Sequence, residues 1–400
     1  MTLLSEDICE LIQQCFKEKI ENFDIKLNEG NKKGEGYIGE IIFASLENKL
    51  NGKEEHLVIK KVFNSEIEKT REFLSSSYLN EIFFYNDVWP KLKKFQNTFP
   101  EVTPVDVAAK CYGTSSVRGS EKVILENLKF KGYEIHPKRT PLSKELFEDI
   151  FALYGKYHAT SFAFKHYHPE EFHELASNLK NNWCGFQETE LCITAIKHSF
   201  GGVKMILEFT KEEDILRKMA PYIENGRKIY SDSLNYEGPN SVIIHGDCWS
   251  NNMMFKYNDK KQLEDIKLID FQMSTASTPV FDLTYTFYSG AGPEELKNWE
   301  HFLKVYHNSL KLSLQQYNLD VDKIYPYETL KAEWKEYIQF SFIMGILIWG
   351  AKFVEEDEII DLDVTENKEE RTSLKAKEQY AFHVLALIEH FYLNNFFIES

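Results

Sequence analysis

Three polar side chains lie at a spacing that suits phosphoryl transfer. The segment SVIIHGDCWSNNMMF runs from apolar residues into His245, Gly246 and Asp247, and Asn252 follows five residues after the aspartate. A second apolar run, KLIDFQ, delivers Asp270. H-x-D-x-x-x-x-N followed by D-F is the pattern of enzymes that move a phosphoryl group from a nucleotide to an acceptor. A carboxylate at 247 would accept the proton of an attacking hydroxyl. The amide oxygen of Asn252 and the carboxylate of Asp270 would hold Mg2+ against the phosphates, since magnesium takes hard oxygen ligands and completes its shell with phosphate and water. Alone, each residue would read as a turn cap, a turn residue or a strand end. Their joint spacing, with His245 and Phe271 alongside, carries the chemistry.

The ATP side is expected earlier in the chain. Gly34, Gly36 and Gly39 form a G-x-G-x-x-G that leads into the strand IIFASL (41–46). A loop in that position can close over phosphates through its backbone N–H groups. A dinucleotide fold would instead place the motif after a strand and before a helix. Leu57-Val58-Ile59-Lys60 resembles the V-A-I-K strand whose lysine meets the α- and β-phosphates. Lys61 is the rival; strand alternation alone does not choose between them, and the match to V-A-I-K favours Lys60. Glu81, in NEIFFY, is the candidate partner of that lysine. KVILENL (122–128) would form a hinge in which Glu126 and Leu128 offer a backbone carbonyl and N–H to adenine.

These residues need elements to carry them. HLVIKKVF (56–63), AAKCYG (108–113) and KVILENL read as further strands. A helical pattern from Ile67 to Trp89 interrupts them and is expected to stop near Pro90. After about residue 140 helices dominate, over 143–164, 170–182, 211–233, 293–316, 328–351 and 372–397, around one β-rich island at 241–272. Segment 355–370 is acidic and reads as an exposed loop. The expected fold is α+β with two lobes: an antiparallel β-rich nucleotide-binding lobe over 1–128 and a larger, mainly helical catalytic and substrate-binding lobe over 129–400. The cleft between them would take the nucleotide.

Composition narrows the partners. The 400 residues carry a net charge of −16 and are 14% aromatic. An acidic chain lacks the positive field that nucleic acid or an anionic membrane requires. The six cysteines include no C-x-x-C pair, so no zinc site is expected. The N-terminus reads as an amphipathic helix rather than a signal peptide. The apolar stretch at 338–353 contains Gln339, Ser341 and Lys352 and reads as a buried helix, not a membrane span. The expected compartment is the cytoplasm, and no obligate protein partner is inferred.

The motifs resemble the protein-kinase-like superfamily, with informative departures. Gly246 stands where protein kinases have the arginine of H-R-D, and Gln272 where they have the glycine of D-F-G. Only 12 residues separate Asp270 from Asp282, too few for an activation segment that docks a peptide. HGD with IDFQ looks like the aminoglycoside phosphotransferase and choline kinase branch. VIIHGDCWSNNMMFKY, KLIDFQMSTASTPVFDLTYTFYS, KVILENLKFKGY, LYGKYHATSFA and LNEIFFY together resemble the ecdysteroid kinase-like (CHK-kinase-like) family over about residues 30 to 350. That resemblance implies ATP-dependent phosphorylation of secondary-metabolite alcohols, notably ecdysteroids. It also implies that Asp282 braces the catalytic loop and that His158 occupies a family helix position, read here as a core histidine. Asn127 departs from a common family aspartate. Trp249 reads equally as a pocket wall or as a loop anchor, and Tyr285, Phe287 and Tyr288 read as core. Two other readings stay open: a choline- or aminoglycoside-type kinase for a cationic substrate, and a catalytically silent nucleotide-binding pseudokinase.

Overall fold

A computed structural model describes residues 4–28, 39–63, 65–353 and 374–398. Gly34, Gly36 and the acidic segment 355–370 lie outside the described residues.

Five strands form one antiparallel sheet: β1 (Phe23–Leu27), β2 (Gly39–Asn48), β3 (Glu54–Val62), β4 (Cys111–Ser115) and β5 (Lys122–Glu126), in the spatial order β1-β2-β3-β5-β4. Side chains alternate across a strand. In β3 this puts Leu57 and Ile59 on one face, where they pack with Ile8, Leu11 and Ile12 of the N-terminal helix Glu6–Phe16. Lys60 is buried on the opposite face with Val62, while Lys61 is only partly buried. The two faces of the sheet thus separate the two lysines that strand alternation alone left in competition.

The helix Glu68–Phe83 packs under the sheet. It does not stop at Pro90. A π-helical turn, Phe84–Val88, resets the hydrogen-bond ladder, and a new helix, Trp89–Gln96, begins with Pro90 in its first turn. The chain stays helical across the junction, where Trp89 N–H bonds Phe84 O in the i→i−5 pattern and Pro90 is the next residue. The third expected strand also shifts. β4 starts at Cys111 with a bulge between Cys111 and Gly113, while Ala108 makes an isolated parallel bridge to Leu268.

The larger lobe is helical. The helix Lys144–Tyr167 begins at Ser143, whose hydroxyl accepts from Leu146 N–H at 3.3 Å, and packs along Trp299–Gln316. The two backbones approach so closely at Gly155 that a Cβ there would lie 2.8 Å from Leu310 N. Val280–Gly290 packs against Tyr327–Phe353. The expected single helix 293–316 is broken into Pro293–Leu296 and Trp299–Gln316. Glu190–Thr210 is a helix that periodicity did not suggest, since Gly201 and Gly202 interrupt the pattern at its centre. Among the described residues no helix is long and apolar enough to cross a membrane.

The β-rich island is two small sheets. β8 (Met253–Tyr257) and β9 (Leu263–Leu268) form a hairpin joined by β6 (Tyr133–Ile135), and β7 (Val242–Ile244) pairs with β10 (Thr275–Ser277). The loop between β7 and β8 carries Asp247 and Asn252. The turn after β9 carries Asp270. The architecture is the α+β, two-lobed, kinase-like fold that the sequence suggests.

Candidate active site

The loop after β7 makes a sharp turn at Gly246, whose φ is 85°. A Cβ at that position would lie 2.1 Å from the Met273 carbonyl oxygen. Only glycine fits both the left-handed backbone and the close approach. This gives a steric reason for the absence of the arginine found here in protein kinases.

Asp282 holds the turn from beneath. Its Oδ2 accepts from His245 N–H and its Oδ1 from Gly246 N–H, both at 2.8 Å. His158 Nε2 lies 3.2 Å from Oδ2, and His158 Nδ1 is 3.2 Å from the Tyr306 hydroxyl. Burial alone would push the Asp282 carboxyl up, but the His158 hydrogen bond and charge, with those of the loop, hold it below the usual carboxylate range. His158 is a fully buried, satisfied histidine, as expected. His245 Nδ1 accepts from Asp247 N–H at 3.2 Å, so the Nε2 that meets Ile269 O at 2.8 Å carries the proton. Burial lowers the His245 pKa, in keeping with a neutral ring.

Both oxygens of Asp247 are engaged. Oδ1 accepts from the Tyr285 hydroxyl at 3.0 Å, and Oδ2 from Asn252 Nδ2 at 2.8 Å. The same Nδ2 reaches Asp247 O at 2.8 Å. Asn252 therefore spends its amide nitrogen inside the loop and keeps its Oδ1 for another use. Burial pushes the Asp247 carboxyl up to about 7, against the opposing pull of the Tyr285 and Asn252 hydrogen bonds.

Asp270 sits in the left-handed region, with φ 66° and ψ 63°. A non-glycine residue there stores strain of roughly 1–3 kcal/mol, and such strain clusters at functional sites. Its Oδ1 is ion-paired to Lys60 Nζ. Lys60 also bonds Glu81 Oε2 at 2.6 Å, and Glu81 is fully buried. Burial opposes the charge on Lys60, but the Asp270 and Glu81 carboxylates outweigh it and hold the ammonium protonated, well above its ordinary value. Burial in turn pushes Glu81 up while Lys60 pulls against it.

The structure thus brings Lys60, Glu81 and Asp270 into one ionic cluster, with Asp247 and Asn252 paired on the facing loop. Lys61 stays outside it. Gly39 opens β2. Glu126 ends β5; its N–H is committed to Lys110 O at 2.9 Å and its side chain pairs with Lys131. Leu128 is buried at the start of the 3-10 turn Leu128–Lys131. Trp249 is buried within the main hydrophobic core. Among the described residues no three His, Cys, Asp or Glu side chains form a self-sufficient metal site. An amide oxygen plus one carboxylate fits a cation that draws its remaining ligands from phosphate and water.

Several supporting residues escaped sequence reading. Asn80 Nδ2 reaches Lys180 O at 2.9 Å, Ser274 O at 2.9 Å and Gln272 O at 3.3 Å. Asn182 Nδ2 bonds Gln272 O, and Trp183 Nε1 bonds Gly246 O, both at 2.9 Å. Phe271 stacks on Phe84 with ring centroids 3.7 Å apart. The one local signal was a mid-helix asparagine directly before Glu81.

An antiparallel sheet over a helical lobe, with a lysine–glutamate–aspartate cluster facing an Asp–Asn loop, defines a kinase-like phosphotransferase. The model of the ecdysteroid kinase-like family matches residues 33–319, and the chain belongs to that family of small-molecule kinases. Among solved structures it is similar to the choline kinase from Cryptosporidium parvum Iowa II, at 12% identity and a TM-score of 0.42, covering 95% of this chain and 93% of that one. No curated protein sequence matches it.

Proposed function

We propose that the protein phosphorylates a hydroxyl of an ecdysteroid or a similar apolar secondary-metabolite alcohol, with ATP as donor and Mg2+ as the accompanying ion. The observation that carries this reading is the pairing of a half-buried, doubly hydrogen-bonded Asp247 with the Lys60–Glu81–Asp270 cluster. Asp247 would accept the acceptor hydroxyl's proton; a carboxyl raised to about 7 is matched to that task near neutral pH. Asn252 Oδ1 and Asp270 would hold Mg2+, and Lys60, steadied by Glu81, would meet the nucleotide phosphates. When bound, the ion would neutralise charge on the phosphates. The apolar acceptor follows from the chain's membership of the ecdysteroid kinase-like family.

The test is an ADP-release screen of the purified protein against ecdysone, other sterols, phenolic glycosides and choline, with mass spectrometry of the product. Phosphorylated ecdysteroid, absent with Asp247→Asn, is the expected result. Exclusive turnover of choline would overturn the acceptor class. Full turnover by Asp247→Asn would overturn the base assignment.

A further inference from the structure

The helix Val280–Gly290 grips the catalytic loop through three side chains at i, i+3 and i+4. Asp282 takes the backbone N–H groups of residues 245 and 246. The Tyr285 hydroxyl donates to Asp247 Oδ1 at 3.0 Å. The Thr286 hydroxyl donates to Cys248 O at 2.9 Å. Residues at this spacing share one helix face, so a single turn of helix fixes four consecutive loop residues, 245 to 248. Of these contacts, the Tyr285 one alone reaches a side chain with chemistry.

From this we infer that Tyr285 is a positioning residue for phosphoryl transfer: its hydroxyl fixes the rotation of the Asp247 carboxylate, with Asn252 holding the opposite oxygen. The inference rests on the reading of Asp247 as the base. A carboxylate gripped at one oxygen can swing about its Cβ–Cγ bond. Gripped at both, by elements 33 residues apart in sequence (252 and 285), it keeps one orientation. Tyr285 is itself held. It is 1% exposed, and its ring packs against Trp183 and Phe340. The phenol is thus a rigid post, unlike a serine or threonine hydroxyl that can rotate to a new partner. Its distance from the nucleotide cluster matters too: Lys60, Glu81 and Asp270 make no hydrogen bond to it among the contacts described, so its loss should spare nucleotide binding.

The experiment is steady-state kinetics of Tyr285→Phe, which keeps the packed ring and removes the hydroxyl. Tyr288→Phe is the control: it removes another buried hydroxyl from the same helix, one bonded to His390 at 3.0 Å and not to the loop. Misplacing a reacting group by an ångström can cost about 100-fold. The expected result for Tyr285→Phe is a kcat lowered roughly 10- to 100-fold, with the ATP KM and melting temperature near wild type, and Tyr288→Phe within about twofold of wild type in kcat. Ecdysone is the acceptor used; where it is not turned over, the same comparison is read on slow ATP hydrolysis by water. A Tyr285→Phe kcat within about twofold of wild type overturns the inference. So does an equal loss in Tyr288→Phe. Asp247→Asn separates this from the underlying reading: if it retains turnover, the base assignment fails; if it is inactive while Tyr285→Phe is fully active, only the positioning role fails.

Discussion

Replacing Lys60 with methionine should destabilise the ligand-free protein more than replacing Lys60 and Glu81 together. The ammonium and carboxylate are 2.6 Å apart, with side-chain exposures of 8% and 0%. At an effective dielectric of about 20, charges at that distance attract by roughly 6 kcal/mol. Most of this offsets the cost of taking both ions out of water, so the intact pair adds little net stability. Removing one partner is different, because it strands the other: such losses run to about 3–5 kcal/mol. Lys60→Met would leave Glu81 buried beside Asp270 with no cation. Asp270, at 26% side-chain exposure, can recover some hydration, but Glu81 cannot. Lys60→Met/Glu81→Leu fills the space with apolar groups and should lose less than about 2 kcal/mol. Urea unfolding followed by tryptophan fluorescence at pH 7.5 measures these two variants and the single Glu81→Leu. The reasoning is refuted if the double variant loses as much as or more than Lys60→Met, or if the two single losses sum to the double within about 0.5 kcal/mol, the additivity expected of independent sites.

Three further outcomes are expected. Gly246→Ala should lose at least roughly 2 kcal/mol of stability from backbone strain and the clash with Met273 O, and a melting temperature equal to wild type would contradict the turn geometry. Asp282→Asn can satisfy only one of the two loop N–H groups as acceptor without presenting its own NH2 to the other, so a loss of about 2–4 kcal/mol is expected from chemical denaturation. His390, lowered by burial to about 4, should make the protein less stable as pH falls. The unfolded histidine takes its proton near 6.5 and the folded one only near 4, so stability is full above 6.5 and declines between those values, by on the order of 3 kcal/mol. In His390→Gln, which can keep bonds to Tyr288 and Asn394, the drop between pH 7 and 4.5 should shrink by more than about 1 kcal/mol; an unchanged drop assigns the loss to other groups.

Legibility in the sequence followed the range of the interactions. Asp247 and Asn252 lie within one loop, so their spacing alone showed their kinship. Lys60 and Glu81 showed through local patterns, a V-A-I-K-like strand lysine and a helical glutamate, and the sheet face covered by the N-terminal helix agrees with the motif's choice of Lys60 over Lys61. Tyr285 did not show. Its hydroxyl meets a carboxylate 38 residues away in the chain, and a tyrosine in an apolar helix looks like core until that partner is placed. Asn80 and Asn182 converge on Gln272 O from positions 192 and 90 residues away, a tertiary event with no periodic trace. The run past Pro90 was hidden because a π-turn leaves no compositional mark.

Asn80, Ser76 and Phe84 have one more consequence. Ser76 bonds Asn182 at 2.7 Å, Asn80 bonds three carbonyls of the larger lobe, and Phe84 stacks on Phe271. The helix that supplies Glu81 is therefore fastened to the catalytic lobe by several hydrogen bonds, and meets the sheet through the Lys60–Glu81 pair, the Ser75–Glu121 hydrogen bond and the packing of Phe73, Leu74 and Tyr78 with Val62 and Val123. Mechanically it belongs to the floor of the cleft rather than to its roof. Lys60 is then the side chain by which the sheet reaches that floor, through Glu81 of the helix and Asp270 of the larger lobe.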